Sequence, residues 1–431
     1  MKILIQNGRV IDPASGRDEV ADVAIAAGRI VSIGRVKADF NPNRTLDARG
    51  LVVAPGLVDL AVRLREPGHE HEGMLESEMA AAVAGGVTSL VCLPDTDPVL
   101  DEPGLVEMLK FRARNLNQAH VYPLGALTRG LAGEVLTEMA ELTEAGCVGF
   151  SQAEVPIRDT LVLHRALQYA STFGYSTWLR ANDAYLGNGV AAKGALATRM
   201  GLSGVPAIAE TIALNTIFEL VRDTGARVHL CRLSSAAGIE LVRRAKAEKL
   251  PITCDVSVNH LHLIDLDIGY FNAAMRLTPP LRQQRDRDAI RAGLADGTID
   301  ALVSDHTPVD EDMKNLPFAE AEPGATGLEL LLSLALQWGE EAGLSLHATL
   351  ARLTSAPVEV LGESLGSLAS SAGKLVEGGV ADLCVFDPSE RWAVEPGALK
   401  SQGKHTPFAG HELPGRVRWT LVSGHVAHEA L

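Results

Sequence analysis

The chain has 431 residues, 46% of them hydrophobic and 22% charged, with a formal net charge of −15. That length suits one large barrel or two to three ordinary domains. The acidic balance argues against a nucleic-acid or anionic-membrane surface, which needs clustered Lys and Arg, and no apolar run reaches the roughly 18 residues of a membrane span.

The first stretch, MKILIQNGRVID, reads as a short strand followed by turn residues, without the apolar core or small-residue cleavage site of a signal peptide. Residues 1–55 continue with EVADVAIAAGRIVSIG and TLDARGLVVAPG, alternating strands with Gly turns. Eight short apolar, β-branched runs then follow at 57–63, 87–93, 120–125, 147–151, 176–180, 227–232, 251–256 and 300–304. Helical patterns lie between them. One spans 103–114, with Asp101 as the expected cap and Pro103 in the first turn. Another spans 210–224 and stops at Gly225; a third spans 288–296 and stops at Gly297. Eight strands alternating with helices predict an α/β fold, a (β/α)8 TIM-type barrel over residues 56–373. Residues 374–431 return to the strand style of the start, in KLVEGGVADLCVFDP and RVRWTLVSGHVAHE. The two ends, 1–55 and 374–431, are therefore expected to join in one composite β-sandwich outside the barrel.

The five cysteines, Cys92, Cys147, Cys231, Cys254 and Cys384, are scattered and mostly set in apolar runs. They predict buried free thiols and a reducing, cytoplasmic location.

Several phrases carry a resemblance. PGLVDL at 55–60, REPG at 65–68, VCLPDTDPVLD at 91–101, TPPLR at 278–282, SDHTP at 304–308, ADLCVFDP at 381–388 and GKHTPFAGHEL at 403–413 look like a dihydroorotase of the amidohydrolase superfamily. The likeness runs over nearly the whole chain. It implies a metal site at the C-terminal ends of the barrel strands. Two His would come from strand one, a carboxylate or carboxylated Lys from strand four, one His each from strands five and six, and an Asp from strand eight.

Position by position, that ligand set is missing. The strand-one places hold Ala61 and Arg63. The strand-four motif reads GFSQAE, with Gln152 and Ala153 where acids are expected. Arg180 takes the strand-five His place, and Arg232 the strand-six one. Only Asp305 survives. Arg offers donors alone and keeps its proton at any workable pH. At about 6 Å and an effective dielectric of about 20, each guanidinium would repel a +2 ion by roughly 5 kcal/mol. The residues thus predict that zinc binding is lost, that no cofactor is held, and that Arg63, Arg180 and Arg232 fill the former metal space, pairing with Asp59 and Asp305. An excess of positive charge there would hold an anion.

Other signals are weaker. His69 and His71 follow Pro67-Gly68 and read as a solvated loop rather than a relocated ligand pair. His260 and His262 are too few for a zinc site. Arg65 matches the arginine that the family uses on the substrate carboxylate. With His260 it marks a vestigial substrate pocket. Gly403-Lys404 lacks the glycine spacing of a phosphate loop.

The resemblance extends to a non-catalytic, dihydroorotase-like partner of aspartate carbamoyltransferase in de novo pyrimidine biosynthesis, a silent subunit in a complex expected to be a hetero-dodecamer of six of each chain. Two other readings stand beside it. One is an active cyclic amidohydrolase with altered chemistry centred on Asp305, Arg65 and His260. The other is a sensor whose Arg-rich pocket takes an acidic pyrimidine intermediate.

Overall fold

The computed structural model describes residues 1–430. Each of the eight expected runs forms a strand of one parallel barrel. In order they are Leu57–Val62, Val87–Cys92, His120–Pro123 continued by Gly125–Ala126, Phe150–Ser151, Ser176–Leu179, Arg227–Leu230, Ile252–Ser257 and Ala301–Val303. The third strand is broken at Leu124: its first half pairs with strand two and its second half with strand four. The ring closes between strands eight and one. There the His306 amide donates to the Ala61 carbonyl (3.2 Å) and the Arg63 amide to the His306 carbonyl (2.9 Å). The closing seam therefore passes through the candidate site.

Helices cover the outside, as parallel strands require. The helix after strand two runs Pro103–Asn115 with Pro in its first turn. Its cap differs from expectation. Glu102 takes the N-cap position without a side-chain bond, and the Asp101 carboxylate instead accepts from the Gly130 amide at 2.7 Å. A neighbouring loop outcompetes the helix for that acceptor. The helices Ala207–Thr224 and Gln284–Asp296 both end where the sequence indicates, at Gly225 and Gly297 in left-handed conformation. Among the described residues no helix is long and apolar enough to cross a membrane.

The two chain ends build one eight-stranded sheet. Its seam is Val52–Pro55. This strand runs parallel to the first strand, Lys2–Asp12, on one side and antiparallel to Leu383–Ala393 on the other. The sheet has its own core, including Ile3, Ile5, Val23, Ile25, Val53, Leu383, Val385 and Leu421. Burying each such side chain contributes about 1.5–3 kcal/mol, so neither end holds its face covered without the other.

Gly56 joins the sheet to barrel strand one. A Cβ there would lie 2.1 Å from Thr88 Oγ1 and 2.2 Å from its Cγ2. Thr88 is buried and has no room to retreat. Gly56→Ala is expected to destabilise the fold by about 1–3 kcal/mol, read as a lowered midpoint in urea unfolding. An unchanged midpoint would mean that the junction is looser than its contacts imply.

Candidate functional site

The site lies at the C-terminal mouth of the barrel, where such folds carry chemistry. A cavity of about 250 Å³ opens there, lined among others by Arg63, Arg65, Asp95, Glu154 and Asp305. Arg63, Arg180 and Arg232 do converge, from the ends of strands one, five and six. What they converge on is Glu154. Its Oε1 accepts from Arg63 Nη2 at 2.9 Å and also meets Arg232 Nη2. Its Oε2 accepts from Arg180 Nη1 at 2.5 Å. Arg63 further donates from Nε to Asp95 Oδ2 (2.8 Å) and from Nη1 to Thr307 Oγ1 (3.0 Å). Arg232 donates from Nη1 to Asp305 Oδ1 at 3.1 Å. Three guanidiniums thus face three carboxylates.

This corrects the expected pairing. Asp305 pairs as anticipated, but Asp59 does not touch the arginines. It is fully buried. Its Oδ1 accepts from the amides of Ala61 (3.3 Å) and Ser304 (3.2 Å), and its Oδ2 has no partner among the described residues. Burial pushes its carboxyl up to about 6. The expected surplus of positive charge is also missing, because Asp95, Glu154 and Asp305 balance it.

Burial and the neighbouring charges act on these groups in opposite senses. Burial acts to raise the Glu154 carboxyl, but Arg232, Arg180 and Arg63 together hold it well below the usual carboxylate range. Glu154 keeps 30% of its side chain exposed at the cavity, while its carboxylate points into the cluster. Burial raises Asp305, only partly offset by Arg232 and Arg63. Burial would lower Arg232, but Glu154 and Asp305 lift it well above its ordinary value.

Backbone geometry aims these groups. Arg65, Ala153, Arg232 and Asp305 all have left-handed φ, between 49° and 63°. At or beside three of these kinks a nearby side chain accepts a backbone amide. Ser151 Oγ accepts from the Ala153 amide (3.0 Å), Asp255 Oδ1 from Arg232 (2.7 Å), and Ser304 Oγ from His306 (3.1 Å).

The remaining expected site residues are placed as follows. Ala61 packs in the apolar barrel interior. Gln152 is buried, its Oε1 accepting from Thr128 Oγ1 (2.9 Å) and its Nε2 donating to the Leu131 carbonyl (2.8 Å). Arg65 donates to the Pro308 carbonyl (2.8 Å) and is paired with Glu72 (2.7 Å) and, more loosely, Glu322 (3.6 Å). Its guanidinium lines the cavity with these acids beside it. His260 and His262 lie on the short helix Val258–His262. They bond to different carbonyls, Pro280 and Leu334, and burial lowers each to about 4. His69 and His71 sit on the loop after strand one with Glu72 near them, but Glu72 already serves Arg65. The buried His229, Cys231 and Asp255 also lie close together. Both His229 ring nitrogens are taken, by Thr253 and Asp255 (2.8 Å each), and burial holds the Cys231 thiol far above its ordinary value. Lys404 donates to the Leu399 and Ser401 carbonyls, a structural role.

Amidohydrolase barrels imply a divalent metal at this mouth. The residues present do not fit one. The imidazole places hold Ala61, Arg63, Arg180 and Arg232, and the two nearest acids, Glu154 and Asp305, are already committed to guanidiniums. A cation entering there would have to displace three fixed positive groups.

The comparisons bear on this geometry directly. The family described as dihydro-orotase-like matches residues 50–237. A dihydroorotase-like protein of Pseudomonas aeruginosa is 46% identical over the full length of both chains. One from Pseudomonas putida is 44% identical over 99% of each. The chain belongs to the dihydroorotase-like family. A dihydroorotase of a Geobacter species is 38% identical over the whole of both chains. Among solved structures, an L-hydantoinase from Arthrobacter aurescens superposes with a TM-score of 0.87 over 99% of this chain and 96% of its own, at 24% identity. That likeness fixes the amidohydrolase barrel fold. The dihydroorotase-like frame is thus intact around a mouth filled by arginines.

Glu154 was the residue to find: GFSQAE contains it, one place beyond the positions compared. Glu154→Gln should leave three guanidiniums facing two carboxylates and cost roughly 3 kcal/mol. Urea unfolding at neutral pH measures it, and a loss under about 0.5 kcal/mol would remove Glu154 as the hub. Asp59 gives a pH test. Its folded carboxyl titrates near 6, above its ordinary 3.8. Its contribution is therefore fully present below the unfolded value and lost as pH rises through about 6. Asp59→Asn should flatten that part of the stability curve between about pH 4 and 6, whereas an unchanged slope would assign it to other groups.

Proposed function

We propose that this chain is a catalytically silent dihydroorotase homologue, acting as the structural partner of aspartate carbamoyltransferase in de novo pyrimidine biosynthesis. The observation that carries the reading is the Glu154 hub. A neutral, hydrogen-bonded set of Arg63, Arg180, Arg232, Asp95, Glu154 and Asp305 takes the space of the metal centre. Without a metal-activated water or a Lewis acid at the amide carbonyl, ring-amide hydrolysis loses its main source of rate. Arg65 is paired with Glu72 and, more loosely, Glu322, so a substrate carboxylate would compete with two of the chain's own acids for it.

The partnership is supported by what the chain keeps. A barrel that drifted without purpose would lose its frame together with its site. Here the strand-end kinks, their amide acceptors and the terminal sheet all persist. Selection on an assembled shape explains that pattern. The complex would hold six copies of each chain, with this protein in the non-catalytic role.

One observation favours an active alternative: relatives 37–39% identical over nearly their full length carry the name dihydroorotase. Both readings meet one experiment. The purified protein, with and without added zinc, is assayed for dihydroorotate hydrolysis and for metal per chain. It is then co-expressed with the transcarbamoylase chain and sized. The proposal expects no turnover, no stoichiometric zinc, and a mixed complex in which the transcarbamoylase depends on this chain for assembly or activity. Robust turnover would establish the alternative, and a transcarbamoylase equally complete alone would remove the partnership.

A further inference from the structure

The loops after barrel strands seven and eight form one surface at the mouth. Lys314 ties them. It is buried, and its Nζ donates to the carbonyls of Ala273 (3.2 Å) and Arg276 (3.1 Å). The Gly324 amide adds a bond to the Arg276 carbonyl (3.0 Å).

The outer side of this surface is both apolar and acidic. Tyr270 is 95% exposed and Leu266 60%; Phe271 next to Tyr270 is exposed too, as are Met313 and Leu316 on the loop after strand eight. The chain has only five tyrosines and nine phenylalanines, so two adjacent aromatics left in water are a real expense of scarce core material. They are ordered by each other. Their rings meet edge to face with centroids 5.6 Å apart at 83°. Phe271 has φ of 55°, a conformation that a bulky side chain adopts only at a cost. An aromatic pair offers a large contact area for few rotatable bonds and makes a good anchor. The same two loops carry Asp267, Glu311, Asp312 and Glu320, all exposed. Segments 264–276 and 310–322 contain seven acids and two bases, Arg276 and Lys314. Lys314 is turned inward and does not offset the outer charge.

Resting on the reading above, we infer that this acidic, aromatic-tipped rim is the docking surface for the transcarbamoylase chain, which meets it with a basic patch enclosing an apolar cleft for Tyr270. Charge decides the kind of partner. Nucleic acid and anionic lipid, which also welcome exposed aromatics, are repelled by this rim. A basic protein surface is attracted, and its rate of encounter should rise as salt falls.

The test uses full-length protein and the transcarbamoylase chain. Tyr270→Ala and Glu311→Lys/Asp312→Lys change only exposed side chains, and melting curves check that each variant is folded. Titration should show binding weakened at least about tenfold by Tyr270→Ala. Stopped-flow mixing should show the charge reversal slowing association and flattening its salt dependence. Wild-type affinity and salt dependence in both variants, with the wild type binding normally, would overturn the rim assignment alone. A wild type that never binds the transcarbamoylase would overturn the rim and the partnership together.

Discussion

The structure of the barrel mouth depends on one constraint: a buried guanidinium must have a carboxylate. Removing an ion of this size from water costs several kcal/mol even after relaxation. Three such groups brought together would not be tolerated unpaired. Glu154 answers most of that demand alone, touching Arg63, Arg180 and Arg232 with two oxygens. Asp95 and Asp305 complete the balance. The result links strands one, four, five, six and eight across the open end. A metal centre would join much the same strands through coordination bonds. Here ion pairs bridge that span.

The strand ends explain how one frame can aim guanidiniums where the family resemblance places imidazoles. The left-handed kinks at Ala153, Arg232 and Asp305 aim side chains into the mouth. Each costs of order 1–3 kcal/mol for a residue other than glycine. Ser151, Asp255 and Ser304 offset part of this by accepting amides at or beside the kinks. Those acceptors serve the backbone, so they are indifferent to whether an imidazole or a guanidinium is being aimed.

Much of this was readable from the chain, and the errors have a common cause. Strand order came from alternating β-branched runs and glycine stops, because these are local. The convergence of Arg63, Arg180 and Arg232 was readable because each stands at a place the family frame defines. The pairing was not. Asp59, Ala61 and Arg63 share a face by alternation, which made Asp59 look like a neighbour. Four residues along a strand separate Asp59 from Arg63 by about 13 Å of barrel depth, so Asp59 lies at the level of the Ser304 amide. Glu154 follows a two-residue strand and a left-handed Ala153, where no alternation exists to read. Asp101 failed as a cap for a similar reason: an acceptor goes to the amide that tertiary structure brings, here Gly130.

A neutral plug has a consequence at longer range. The net charge of −15 is not relieved at the mouth, and the six groups inside it cancel. The field that an approaching molecule meets there is set by the rim loops, within a Debye length of about 8–10 Å. Arg65 connects the two regions. Set two residues beyond Arg63, it pairs with Glu72 on the loop after strand one and with Glu322 on the loop after strand eight. The Arg63–Arg65 run thus carries ion pairs both inside the mouth and out to its loops. A change in this short run would be felt at both places, so the charge balance of the mouth and the arrangement of its outer loops are coupled within one fold.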